Sequence, residues 1–291
     1  MQPAISNGQQ IRYSKTKKRF SLGTAFMYIV LTAWSLTTIY PLFWIFNNSF
    51  KESRDVMNKS FSLAWDPVLT NYTTAFDRIN IGKSYLNSII MSGSTVIFVL
   101  LFGGLAAYVL SRFNFRGKRV IYSILYATLL VPAFATVVPV YELLIKTSLV
   151  NTYWGLILPQ TAGNLTFAIL VIAGYMSTIA KELEEAAFID GCNRWQMFMK
   201  IFMPVSRPVF ASVTIFVFLW SYNDLFSALI FVSKESVRPI VALLSEISSQ
   251  YGTDFGLMAT AVTLTVLPIL LIYLFISKFI EKGLTEGAVK G

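Results

Sequence analysis

Lys181-Glu182-Leu183-Glu184-Glu185-Ala186-Ala187-Phe188-Ile189-Asp190-Gly191-Cys192-Asn193-Arg194-Trp195-Gln196-Met197-Phe198-Met199-Lys200-Ile201-Phe202-Met203-Pro204 is a charge-bearing stretch set between two long apolar runs. It reads as two short helices, Lys181 to Asp190 and Arg194 to Phe202, parted by Gly191. Glu182, Glu184 and Glu185 fill the first turns, where carboxylates oppose the positive end of the helix dipole. Gly191 suits the left-handed position that stops a helix, and Asn193 with Gln196 makes a cap pair for the next one. Trp195, Phe198, Met199 and Phe202 recur at helical spacing and form one face expected to lie against a bundle. Ala186, Ala187 and Gly191 form a smooth patch of small groups beside Phe188, suited to a cleft on a partner.

Outward from this loop the chain is apolar. Of 291 residues, 55% are hydrophobic and 13% charged, so a water-facing surface of ordinary composition cannot be built. A bilayer core of about 30 Å takes about 20 apolar helical residues. Phe20 to Phe50, Ser84 to Ser111, Val120 to Tyr141, Thr147 to Ala180 and Phe255 to Ser277 carry no Asp, Glu, Lys or Arg. Pro208 to Val232 interrupts its apolar run only at Asp224. The expected fold is all-α, with six spans over 20–277 that include the loop 181–207. Pro41, Pro132, Pro139, Pro159 and Pro268 fall within spans, which predicts bundled and broken helices, the Pro132–Pro139 pair above all.

Basic residues are retained on the cytoplasmic side of a membrane. Two thirds of the 24 fall in the basic tail 1–19, the turn after Ser111, the loop 181–207 and the tail 278–291. Both termini are therefore expected in the cytoplasm, and the first span is read as retained, without a cleavage site. This asymmetry accounts for the net charge of +9 without nucleic acid, and the basic tail suits anionic lipid headgroups. The outer segment 51–83 is expected to contain a short interfacial helix around Asn71 to Asp77. With one cysteine, Cys192, and no histidine, disulfide frameworks, thiolate metal sites and histidine catalysis are excluded for this chain alone. It has no Gly-x-x-x-x-Gly-Lys-Ser/Thr phosphate loop, so it is not expected to be an enzyme or to hold ATP.

The run Glu185-Ala186-Ala187-x-x-Asp190-Gly191, followed by Ile201, Pro204 and Pro208, resembles the EAA loop of ATP-binding-cassette importer permeases, in particular the carbohydrate-uptake group. Cys192 stands where that family usually has alanine, and Met203 where it has leucine. Trp220-Ser221-Tyr222-Asn223-Asp224 is similar to the family's Trp-x-Trp-Asn-Asp/Glu segment, and Gly283 to Gly291 looks like its C-terminal tail. The resemblance implies a type I permease in the bacterial inner membrane, paired with a second permease. Two ATPase subunits carrying ATP and Mg would sit beneath it, and an extracellular solute-binding protein would deliver a sugar or oligosaccharide from above. Glu185, Ala186, Ala187, Asp190 and Gly191 would then be the ATPase-coupling residues. The C-terminal tail would reach between the ATPases, and the loop between spans 5 and 6 toward the binding protein.

Trp220, Tyr222, Asn223 and Asp224 fall near the expected outer half of span 5 and read as a substrate path. Sugars offer hydroxyls to amides and carboxylates and apolar faces to rings. The alternative is that they form an interfacial belt. Three other readings remain at this point. An ion-coupled secondary transporter of a small polar solute would place acids at the midplane, for which Asp224 and Glu142 are the candidates, although no internal repeat is visible. A structural membrane subunit would leave the polar end of span 5 unexplained. A generic helical hairpin would account for the loop alone.

Overall fold

The computed structural model describes residues 22–78, 80–243 and 254–288. The expectations for the tail 1–19 and for the outer loop within 244–253 lie outside these residues. Among the described residues every regular element is helical.

The chain divides into two compact units between Trp44 and Ile45. The first helix, α1 (Leu22–Asn48, 27 residues), crosses that boundary and keeps Pro41 inside it. None of its most apolar window is buried. Its hydroxyls turn back onto their own helix: Ser35 donates to the Leu31 carbonyl at 2.8 Å, and Thr37 and Thr38 to that of Trp34. This satisfies them in apolar surroundings.

The second unit is built around α4 (Ile81–Arg112), α7 (Trp154–Ser177) and α10 (Arg207–Tyr222). Ala107, Ala168 and Ala173 are buried in its main core with Ile172, Met176, Val213 and Val217. Small side chains let helices approach closely where both are apolar on all sides. The core continues into the loop 181–207 through Ala187, Met197, Phe198 and Phe202.

Helices α1, α4 and α7 are each long and apolar enough to cross a membrane. The expected third span is instead a bent pair, α5 (Lys118–Leu129) and α6 (Ala133–Lys146), meeting at 101°. Pro132 supplies the break: it has no backbone N–H and holds the N-cap position of α6 with ψ 132°. The expected fifth span is likewise divided. Its first part, α10, follows α9 (Arg194–Val205) at 76°, and Asn223–Asp224 separates it from α11 (Leu225–Phe231). The Asp224 carboxylate accepts from Ser227 N at 3.1 Å and so starts α11 as its cap. The last helix, α12 (Phe255–Ala288), runs beyond the expected end at Ser277 and contains the apolar piece Phe255–Leu271.

Two short helices, α2 (Ser53–Asn58) and α3 (Thr70–Arg78), bracket the segment after α1; the sequence reading placed only the second. Lys51, at the start of the expected outer segment 51–83, is 5% exposed. Its Nζ donates to the carbonyls of Lys59 at 2.8 Å and Ser62 at 2.6 Å, drawing the loop 52–69 into a closed lasso. Burial lowers its pKa, opposed by Asp55. Asn71 fastens the base, donating to the carbonyls of Ser49 and Lys51 at 3.0 and 2.8 Å. Gly256 lies against this junction: a Cβ there would overlap the Lys51 carbonyl and come within 2.9 Å of Asn71 Nδ2. Gly256→Ala is therefore expected to destabilise the fold by about 1–3 kcal/mol, measured as a lower melting temperature in detergent.

Candidate coupling loop and polar seam

The loop folds as its local chemistry dictates. Helix α8 (Lys181–Ile189) ends at Gly191, whose φ of +79° is the left-handed conformation that glycine adopts without strain. Asn193 and Gln196 form a complete capping box, Gln196 N to Asn193 Oδ1 at 2.8 Å and Asn193 N to Gln196 Oε1 at 2.9 Å. Within α9, residues Phe198–Phe202 form a π-type turn. The expected apolar face is corrected at this turn. Phe198 and Phe202 are 5% and 0% exposed, but Trp195 and Met199 remain 59% and 42% exposed, and Met197 takes an inward place at 4%.

The small patch is also corrected. Ala187 is 4% exposed and packs into the main core, so it faces the bundle. The outward surface of α8 comprises Glu185, Ala186, Asp190 and Gly191 with the large apolar groups Phe188 and Ile189, which are 75% and 84% exposed.

The inner side of α8 is held by residues the sequence reading did not single out. Tyr108 packs against Phe113, Phe198 and Phe202 with ring centroids 5.1–5.5 Å away, and its hydroxyl donates to the Arg194 carbonyl at 3.2 Å. Arg112 donates to the Ile179 carbonyl at 2.7 Å, faces Glu184 at 3.9 Å and covers the Phe202 ring at 4.5 Å. Beside them lies an open cavity of about 630 Å³ lined by Lys181, Glu184, Glu185, Phe188 and Arg194 among others.

A second constellation lies inside the bundle. Along α4, the polar residues Ser84, Asn87, Ser88, Ser92 and Thr95 recur at helical spacing and are at most 3% exposed. Asn87 Nδ2 donates to the Arg238 carbonyl at 2.9 Å, Tyr153 Oη to Asn87 Oδ1 at 2.6 Å, and Ile240 N to Ser88 Oγ at 2.8 Å. Gln160 of α7 stands at the centre of the lower part. Its Oε1 accepts from Ser221 Oγ at 2.6 Å, and its Nε2 donates to Asp224 Oδ2 at 3.1 Å. Ser221 Oγ is also 3.2 Å from Ser92 Oγ. This seam joins α4 and α7 to the break that follows α10.

The four residues expected to form a substrate path do not share one surface. Trp220 is 47% exposed and lies edge-on to Phe167 at 4.8 Å, and Asn223 is exposed. Asp224 is half-buried in the seam, and Tyr222 is 3% exposed in a separate core with Ile81, Ala75 and Leu257.

The family described as binding-protein-dependent transport system inner membrane component matches residues 99–286, well over half of the chain. The chain belongs to that family. This permease component is 33% identical to the probable ABC transporter permease protein YurM of Bacillus subtilis, over 95% of this chain and 92% of the other. It is also 33% identical to the diacetylchitobiose uptake system permease protein NgcG of Streptomyces coelicolor, over 95% and 91%. Its fold is shared with a crystal structure of a bacterial ABC transporter involved in import of the acidic polysaccharide alginate. There the TM-score is 0.78 at 23% identity, covering 89% of this chain and 98% of the other. The matched region contains the loop 181–207 and Gln160, Ser221 and Asp224 of the seam, while the polar stripe of α4 precedes it.

Proposed function

We propose that this permease forms, with a second homologous permease, the translocation path for a sugar or oligosaccharide in the bacterial inner membrane, driven by two separate ATPase subunits that bind ATP and Mg. The observation that carries the reading is α8. It is a nine-residue helix whose outer side presents Phe188 and Ile189, while Ala187 and Arg112 fasten its inner side to the spans. Such a projection suits docking into a cleft on a moving partner, with Glu185, Ala186, Asp190 and Gly191 at the contact. The cargo class is supported by the relative named for diacetylchitobiose uptake and by the resemblance of the EAA-type loop to those of carbohydrate permeases. Trp220 and Asn223 are the residues of α10 and its end that remain open to a shared path.

Two measurements test this. Isolation of the native complex is expected to bring down two ATPases, a second permease and a solute-binding protein whose bound ligand is a sugar. Uptake of that ligand should persist when the ion gradient is collapsed and stop when ATP is depleted; the opposite pattern would overturn the reading in favour of ion coupling.

In the proposed topology six spans leave both termini in the cytoplasm, with the bent pairs each counted once. In a Cys192→Ser background, Ser62→Cys in the lasso should react with an impermeant thiol reagent in intact cells. Ser14→Cys and Thr285→Cys should react only after permeabilisation. Labelling of Thr285→Cys in intact cells would refute the arrangement.

A further inference from the structure

Arg112 is the last residue of α4, and its side chain is 5% exposed although it carries a charge. Three elements meet on its guanidinium. It donates at 2.7 Å to the carbonyl of Ile179, in the turn between α7 and α8. It faces Glu184 in the first turn of α8 at 3.9 Å and lies 4.5 Å above the ring of Phe202 in the π-type turn of α9. Its Nε is buried without a partner among the described residues. A buried guanidinium left partly unsatisfied is a costly way to stabilise a fold, since apolar groups of similar volume do so at least as well. What it supplies instead is direction, because a planar fork fixes several partners at set angles. The Tyr108 hydroxyl, one turn earlier on α4, bonds the Arg194 carbonyl of α9, whereas the Arg112 guanidinium makes its polar contacts with α8 and its root.

We propose that Arg112 is the positioning residue that makes α8 move as one piece with α4 and α7, so that displacement of the docked ATPases reaches the membrane. This rests on the docking role of α8. Without the guanidinium, α8 remains attached to the ATPase but turns about its flanking residues, and the spans no longer follow.

The test uses the whole transporter in lipid nanodiscs, in a Cys192→Ser background, with ATP and vanadate as probes. A fluorophore on Leu225→Cys, at the break after α10, reports movement of the spans, and a cross-link from Ala186→Cys, a small exposed position on the outer face of α8, reports docking. With Arg112→Ala the cross-link should persist while the ATP–vanadate change at the fluorophore falls at least about fivefold, the scale of an ordinary coupling free energy. Arg112→Lys, which keeps the charge but loses the fork, should give an intermediate response. An undiminished fluorophore response in Arg112→Ala, or a response lost only in proportion to the cross-link, overturns the proposal and leaves docking intact. Absence of the cross-link in otherwise unaltered transporter overturns the docking assignment and this proposal with it.

Discussion

Ala187→Asp is expected to abolish transport by preventing the loop from packing, and Phe188→Asp to abolish it by preventing docking. The two residues are adjacent but face opposite ways, 4% and 75% exposed. Ala187 is buried in the main core, whose members include Tyr108, Met197, Phe198 and Phe202, and a carboxylate there would be an unpaired buried charge costing about 3–5 kcal/mol. Folded yield by size-exclusion chromatography should therefore collapse. Phe188→Asp leaves that core untouched, so yield should stay normal while co-purification of the ATPases drops by about tenfold or more, the loss of one aromatic anchor. Normal yield of Ala187→Asp would contradict its burial. Undiminished co-purification with Phe188→Asp would remove the outer face of α8 from the contact.

The second large effect is expected in the seam. Gln160→Leu removes both the acceptor of Ser221 and the donor to Asp224. Each polar group left unsatisfied inside the bundle costs about 1–3 kcal/mol, so the melting temperature in detergent should fall sharply. Asp224→Ala loses the same Gln160 contact and the cap of α11, with a further cost of about 1 kcal/mol. Asn223→Ala is different. Asn223 is exposed, and among the described residues its Nδ2 bonds only to the Leu219 carbonyl in its own helix, so stability should change by less than about 0.5 kcal/mol. Reduced sugar uptake at an unchanged melting temperature would then place Asn223 on the path. Unchanged uptake would assign the path to the second permease. A normal melting temperature for Gln160→Leu would show that the seam contributes little to holding α4, α7 and α11 together.

The loop was legible because its determinants are local. A glycine stop, an Asn–Gln capping box and acids in a first turn act within four residues of one another, and the structure contains all three. Which face of α8 turns inward was not legible, since Leu183, Ala186, Ala187, Phe188 and Ile189 surround a helix of only nine residues with apolar groups. The bends show the same limit. Pro41, Pro139, Pro159 and Pro268 all sit inside helices and only Pro132 marks a break, so what decides is whether neighbours satisfy the freed carbonyl. The seam has its own signal in the sequence, uncharged and therefore faint: the helical recurrence of Ser84, Asn87, Ser88, Ser92 and Thr95. Its partner Gln160 is a single uncharged amide in an apolar run, and nothing local to it names Thr95, 65 residues away, or Asp224, 64 residues away. The burial of Lys51 was not legible because lysine is almost never buried, and the returning lasso supplies the carbonyls that hold it.

The distances within the seam also fix an order of events at the ribosome. The polar stripe of α4 enters the lipid when Gln160 is 65 residues from the nearest of its partners on that stripe, and Ser221 is 129 residues from Ser92. Among the described residues, α5 and α6, synthesised in between, supply none of the hydrogen bonds that the stripe makes with later parts of the chain. Every newly made chain therefore passes through an interval in which serines, an asparagine and a threonine face the bilayer without the helix that will shield them. Chains arrested before Tyr153 would be held in that interval, with the stripe complete and every partner described for it still unmade.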